Sequence, residues 1–220
     1  HSDHRRQRQM CIRDRMASLT DHFGKALKVG VTGPPGAGKS TLVDKMIRQF
    51  RSDGKTVGVI AIDPSSPFSG GAVLGDRIRM QDHNADDGVF IRSLGSRGAH
   101  GGLSRATRDI VHLMDAYGFD VILVETVGVG QTELDIMSVA DTTLVVLVPE
   151  SGDTIQTMKA GLMEIANIFV VNKSDREGAD QIFGELKALS HMHSGDWEVP
   201  VLKSVALKNE GLEEIIKVIS

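Results

Sequence analysis

The sequence predicts a doubly wound α/β domain built on a mainly parallel sheet of about seven strands, and three observations predict it. Short runs rich in β-branched and aliphatic residues alternate with amphipathic helical stretches. Several of those runs are apolar without interruption, as strands covered on both faces are. Glycine reaches 24 of 220 residues while aromatics make up only 4 %, a composition of tight backbone turns rather than of base-stacking platforms.

Leu27 to Val31, Val57 to Ile62, Val89 to Arg92, Val121 to Val124, Leu144 to Val148, Ile168 to Val171 and Val199 to Leu202 read as the strands. Lys39 to Phe50, Leu103 to Tyr117, Thr154 to Ile165 and Gln181 to His191 read as helices between them; in the second, Ile110, Leu113 and Met114 share one face. A last helix begins at Gly211 and is cut short at Ser220, so further chain is expected beyond it. No repeat, low-complexity tract or linker divides residues 27–220, which read as one domain with right-handed crossovers. Residues 1–26 read as an arm, disordered or the edge of a fragment. Residues 1–16 are polar and arginine-rich and lack the apolar stretch of a secretory signal. Arginine would suit a mitochondrial targeting segment, but Asp3, Asp14 and the missing apolar face count against one.

A formal charge of -4 and a pI of about 6.1 exclude a generally basic nucleic-acid binder. The longest apolar runs are too short to cross a membrane. The single cysteine, Cys11, can make neither an internal disulfide nor a thiolate metal cage by itself. A cytoplasmic protein is expected, or one of the mitochondrial matrix if the source is eukaryotic.

Gly33 to Thr41 (GPPGAGKST) follows the first strand and opens the first long helix, matching G-x-x-x-x-G-K-[ST] in the setting that pattern requires. Glycines at 33, 36 and 38 let the backbone curl so that N–H groups over Gly36, Ala37, Gly38, Lys39, Ser40 and Thr41 face phosphate oxygens. The helix N-terminus adds partial positive charge there. Lys39 reaches the β- and γ-phosphates, and the Ser40 hydroxyl is placed to ligate Mg²⁺.

Asn172-Lys173-Ser174-Asp175 stands directly after the sixth strand and points to GTP rather than ATP. A carboxylate at Asp175 accepts from the two N–H donors on guanine's Watson–Crick edge. Adenine presents an acceptor there and would leave that carboxylate unpaired, at a cost of about 1–3 kcal/mol. The stem of Lys173 is placed to cover the base, and Asn172 to tie the loop together. The backbone N–H of Ala206 is a candidate donor to the guanine oxygen. Its surroundings, Ser204-Val205-Ala206-Leu207, depart from the usual S-A-L by putting Val205 where serine is expected.

Acidic residues at strand ends supply the metal side. Asp63, Asp76 and Glu125 fall on the rim of the phosphate loop in a parallel sheet and, with Ser40, are the candidate Mg²⁺ ligands, directly or through water. Lys39, Glu125 and Asp63 are the candidate catalytic residues. The plainer readings are a helix cap at Asp76 before Arg77 to Met80 and a turn start at Asp63 before proline. Gln131 is a weaker candidate to orient water, because it lies farther from Gly128 than the glutamine usual in GTPases. Arg77, Arg79, Arg92, Arg97, Arg105 and Arg108 form a basic set that is either a solvated face or the source of a charge-neutralising arginine.

Longer stretches carry a closer likeness: Ile62 to Met80 (IDPSSPFSGGAVLGDRIRM), Ser96-Arg97-Gly98 with Gly101-Gly102, Glu125 to Gln131 (ETVGVGQ) and Pro149 to Lys159. In these the chain resembles the MeaB/ArgK-type GTPases, G-protein chaperones of methylmalonyl-CoA mutase, over residues 27–220 nearly end to end. The resemblance implies a dimeric P-loop GTPase of the SIMIBI class whose Mg²⁺-dependent conversion of GTP to GDP gates adenosylcobalamin loading of a mutase and protects it. It further implies that Glu150 to Ile155 is an extra switch, with Lys159 helping to hold it. Family members carry helical segments before the domain and a C-terminal dimerisation arm; on this resemblance the given sequence reads as having the first short or replaced and as stopping before the second.

Two other classes share the phosphate chemistry. A nickel-delivery GTPase would need histidine or cysteine ligands, and His100, His191 and His193 read instead as surface or loop residues. A small-molecule kinase or transport-associated phosphotransferase would pass the γ-phosphoryl to a metabolite. A scaffold that binds nucleotide without turnover is the non-enzymatic alternative.

Overall fold

Strand β1 (Leu27–Thr32) runs through the middle of a sheet that also contains β2 (Val57–Asp63), β3 (Val89–Gly95), β4 (Val121–Thr126), β5 (Thr142–Leu147), β6 (Ile168–Val171) and β7 (Val201–Lys203). Their order is β3-β2-β4-β1-β5-β6-β7, and every pairing is parallel. Helices α1 (Lys39–Ser52), α2 (Arg105–Tyr117), α3 (Ala179–Met192) and α4 (Leu212–Ile219) connect or follow the strands. This is a computed structural model, and it describes residues 19, 23–63, 81–83, 85–95, 105–126, 136–152, 161, 164–192 and 198–220.

Alternate strand residues feed two apolar layers, as the two-residue period requires. Val29, Val31, Val59, Leu123, Val146 and Val170 pack beneath α1 and α4. On the opposite face, Ile60, Ile122 and Val124 meet Val111 and Met114 of α2, and Val145, Phe169 and Val171 meet Ile182 and Leu186 of α3. Each fully buried aliphatic side chain of this kind contributes about 1.5–3 kcal/mol, which is why strands without polar alternation are stable here.

Strands β1 to β4 and β7 run one to three residues past their expected ends, and three further boundaries differ for local reasons. β5 begins at Thr142, because Thr142 and Thr143 pair with Val29 and Gly30 of β1 although their hydroxyls disguise them in an apolar pattern. It ends at Leu147, where Val148 turns its N–H to the Ser151 hydroxyl at 3.1 Å and Pro149 starts a 3-10 turn. β7 begins at Val201 rather than Val199, since Pro200 has no N–H and offers the sheet only its carbonyl, which accepts from the Phe169 N–H at 2.9 Å. Most of the helix expected over Thr154 to Ile165 lies outside the described residues.

The entrance to β1 is held by α2. Asp115 is buried and accepts the N–H groups of Gly24, Lys25 and Ala26 at 2.7, 3.1 and 2.9 Å, while the Lys28 ammonium lies 3.0 Å from the same carboxylate. Those N–H groups precede the sheet ladder, so without Asp115 they would need other partners.

With all strands parallel, their carboxyl ends share one rim. β1, β4 and β5 are neighbours, which sets the segment after β1 beside Glu125 at the end of β4 and beside β5. One strand farther out, β6 delivers Asn172 to the same rim.

Candidate functional site

The segment after β1 owes its path to two glycines. Gly33 has φ 138° and Gly38 has φ 87°; a methyl group at the first would collide with the Val146 carbonyl of β5, and at the second with the Asn172 carboxamide. Gly38 then starts α1, with the Leu42 N–H donating to its carbonyl at 2.9 Å. Lys39 is buried, and its ammonium donates to the Gly33 and Pro34 carbonyls at 2.8 and 3.0 Å. The cation is thus folded back over the carbonyls of its own loop, within which the Ala37 N–H also donates to the Pro34 carbonyl at 3.2 Å. Such an arrangement of curled backbone, helix start and ammonium is a phosphate cradle.

Ser40 stands one residue into α1 and donates its hydroxyl to Glu125 Oε1 at 2.6 Å. Glu125 is buried at the end of β4, in register with Val31, and the next residue, Thr126, donates to the Thr32 hydroxyl at 2.9 Å. That threonine pair pins the carboxyl ends of β1 and β4 together. A hydroxyl and a carboxylate converging beside a phosphate cradle are the hard oxygen donors Mg²⁺ takes, with substrate phosphates and water filling the other positions. Ser40 and Glu125 therefore fit the ion. Among the described residues no three His, Cys, Asp or Glu side chains converge, so the pair belongs to no all-protein cage there. Asp63 ends β2, which pairs with β4 through Ala61 and Glu125, so its backbone reaches the same rim. Asp76, Gln131 and Lys159 lie outside the described residues.

Asn172 joins this cradle to a second loop. Its amide nitrogen donates to the Ala37 carbonyl at 2.9 Å, and its Oδ1 accepts from the Ser204 hydroxyl and the Ala206 N–H, each at 3.1 Å. The next residue, Lys173, adopts φ 55°, a left-handed backbone unusual outside glycine, and sends its ammonium to the Gly36 carbonyl at 2.8 Å. Its stem is thereby laid across the space between loops. Asp175 follows, paired with Lys208 at 3.0 Å; that ammonium holds the Asp175 carboxyl below the usual carboxylate range.

These groups enclose a pocket of about 180 Å³ whose walls include Gly38, Thr41, Lys173, Asp175, Leu207 and Lys208. A carboxylate, an alkyl stem and an exposed leucine in that lining suit a flat heterocycle with adjacent N–H donors. A larger apolar groove of about 670 Å³ lies between β3 and α2, lined by Phe90, Leu113, Tyr117 and Phe119. It adjoins the amino ends of β2 and β3, at the opposite edge of the sheet from the segment after β1.

Of the residues expected from the sequence, the structure brings together Gly36, Ala37, Gly38, Lys39, Ser40, Thr41, Glu125, Asn172, Lys173, Asp175 and Ala206 on one rim. The Ala206 N–H is engaged by Asn172 rather than directed into the pocket. The sequence named Ser204 only as a neighbour of Ala206, without a role, and did not single out Lys208. The position of Ser204 directly after the last strand was the available signal for the first; nothing in the local pattern marked the second. Arg176 donates to Glu150 at 2.7 Å, linking the loop after β6 to the turn after β5.

A family model described as "Methylmalonyl Co-A mutase-associated GTPase MeaB" matches residues 1–220. Among curated proteins, the chain is 58 % identical over 197 residues to one from Pyrococcus abyssi named for GTPase activity, covering 87 % of this chain and 61 % of that protein. It is 38 % identical to the GTPase ArgK of Escherichia coli, covering 90 % and 62 %. It is 36 % identical to the mouse protein named methylmalonic aciduria type A homolog, mitochondrial, covering 95 % and 50 %. The chain thus spans less than two thirds of these relatives. Among solved structures, one titled LAO/AO transport system kinase superposes with a TM-score of 0.74 at 32 % identity, covering 93 % of this chain and 61 % of that one. The hydrogenase maturation factor HypB of Archaeoglobus fulgidus, at 16 % identity and a TM-score of 0.64, shares the fold.

Proposed function

The chain belongs to the MeaB family of GTPases, and from that premise we propose that residues 27–220 are a GTPase domain whose rim site binds GTP with Mg²⁺ and hydrolyses it to GDP and phosphate. The single observation that carries this reading is the junction at Asn172. One buried side chain holds the Ala37 carbonyl of the phosphate cradle and the Ser204 hydroxyl beside the base pocket, so the two halves of a nucleotide site are built as a unit.

In this mechanism the cradle N–H groups and the Lys39 ammonium meet the phosphates, and Lys39 exchanges its two carbonyl contacts for phosphate oxygens. Asp175 accepts from the guanine edge while the Lys173 stem covers the ring. Ser40 and Glu125 are the residues that would hold Mg²⁺, with Asp63 and Asp76 as further candidates. When bound, the ion neutralises charge that develops on the phosphate oxygens. Positioning and electrostatics dominate such a reaction, since phosphoryl transfer needs no covalent chemistry from the protein.

The partner in this reading is an adenosylcobalamin-dependent mutase, methylmalonyl-CoA mutase or a relative, whose cofactor loading the GTPase cycle gates. The support is the family description and the name of the mouse relative. The full-length protein is proposed to be a homodimer, and the location to be the cytoplasm, or the mitochondrial matrix in a eukaryote. No described helix is long and apolar enough to cross a membrane.

Phosphate release from Mg·GTP, with and without a methylmalonyl-CoA mutase, tests both levels. A slow basal rate that rises severalfold with the mutase is expected. No release at all overturns hydrolysis, and a full-length protein indifferent to the mutase overturns the partner. A second reading, phosphotransfer to a small molecule, has one observation in its favour: the kinase title of the 32 % identical structure. Label from [γ-³²P]GTP appearing in a metabolite rather than in inorganic phosphate would replace hydrolysis with transfer.

A further inference from the structure

Asp175 and Lys208 line the same pocket, and the Lys208 ammonium donates to Asp175 Oδ2 at 3.0 Å. The cation therefore occupies space on the carboxylate edge that a base with adjacent N–H donors must reach. Lys208 stands at the end of a 3-10 turn over Ala206–Lys208, and its N–H is fixed to the Val205 carbonyl at 2.8 Å. Val205 and Ala206 are buried, so the root of the side chain is rigid. The ammonium end is different: both partners of the pair are substantially exposed, at 56 % and 42 %. A rigid root with a solvated tip describes a side chain that can leave its partner without disturbing the fold.

From this geometry we infer that Lys208 is a built-in competitor of the ligand for Asp175, a residue that sets guanine-nucleotide affinity by occupying the base-reading carboxylate until the base displaces it. The inference rests on the reading of Asp175 as the guanine acceptor. A carboxylate has about four lone-pair sites, but guanine's N1–H and N2–H groups approach both oxygens in one plane, so an ammonium already on Oδ2 must shift or be expelled. The barrier is modest, because exposed ion pairs are weak and salt-screened. The same pair keeps the carboxylate ionised and so ready as an acceptor at acidic pH. Lys208 thus differs from Lys173, whose ammonium is held by the Gly36 carbonyl and whose stem serves the ring face rather than its edge.

The test is GDP affinity by calorimetry for the wild type, Lys208→Met and Lys208→Arg, at low and high ionic strength. Lys208→Met keeps the alkyl stem and removes the competing charge, and is expected to tighten GDP binding about two- to fivefold at low salt, the range of a surface pair. The gain should vanish near 1 M salt, where the Debye length is about 3 Å. Lys208→Arg retains a cation and should bind GDP no better than wild type. Weaker or unchanged binding by Lys208→Met at low salt overturns the inference, as does a gain that salt leaves intact. Asp175→Asn is measured alongside for its preference between guanosine and xanthosine triphosphates. If that preference does not move, the reading of the base site fails; if it moves while Lys208→Met gives no gain, only the competitor role fails.

Discussion

The carboxamide of Asn172 donates to the Ala37 carbonyl at 2.9 Å across 135 residues of sequence. Asn172 is buried, and its other end accepts from Ser204 and Ala206, so three loops of the rim depend on one amide. Gly38 lies against the same group, and only a residue without a side chain fits there.

Asn172→Ala is therefore expected to uncouple the two halves of the site. It strands a carbonyl, a hydroxyl and an N–H, each unsatisfied group costing about 1–3 kcal/mol when buried. GDP affinity should fall by at least about tenfold, equivalent to 1.4 kcal/mol, while far-UV circular dichroism stays near wild type. Gly38→Ala should produce the same loss by pushing Asn172 away and by forcing φ 87° on alanine. Unchanged GDP affinity in both variants would show that the junction is not needed for binding.

Lys39 separates phosphate binding from folding. Its ammonium is held by the Gly33 and Pro34 carbonyls, which remain solvable by water if the side chain is shortened. Lys39→Ala should keep its Tm within a few degrees but lose most of the stabilisation that GTP confers, since binding energy adds to stability by mass action. Equal thermal shifts with GTP in both proteins would remove Lys39 from the phosphate site.

Ser40 and Glu125 are distinguished by their metal dependence. Glu125→Gln keeps the shape and an acceptor for Ser40 but removes the charge that favours a divalent cation. Mg²⁺-dependent turnover is expected to fall on the order of a hundredfold, whereas GDP affinity in EDTA should be unchanged. A parallel fall in EDTA would mean that Glu125 serves the fold rather than the ion.

The central sheet was legible because several of its strands are uninterrupted apolar runs, and the phosphate cradle because glycine spacing has few other uses beside a strand and a helix. Glu125, Asn172 and Asp175 were legible as strand-end polar residues. What remained hidden was pairing at a distance. Nothing in the sequence says that Asp115, in the last turn of an amphipathic helix, reaches back to Gly24, or that Lys208 meets Asp175; such contacts appear only once strand order brings the segments together. Threonines at the start of β5 were hidden for the opposite reason, because a hydroxyl interrupts an apolar run without weakening a strand.

Asp115 yields the pH-dependent prediction. Burial alone would push its carboxyl up, but the N–H groups of Ala26, Gly24 and Lys25 and the Lys28 ammonium outweigh burial and hold it below the usual carboxylate range. A group depressed on folding stabilises the protein above its unfolded pKa of about 3.9 and loses that contribution as pH falls through the lower folded value. Asp115→Asn places an N–H₂ where three N–H donors need an acceptor, and should cost about 2–3 kcal/mol at pH 7, or roughly 5–10 °C in Tm. The gap between wild type and variant should hold from pH 8 to about 5 and narrow below about pH 4, as the wild-type carboxylate takes up its proton. A gap of constant size across that range would assign the loss to packing rather than to the charge, because packing against Ala26 and Lys28 does not titrate there.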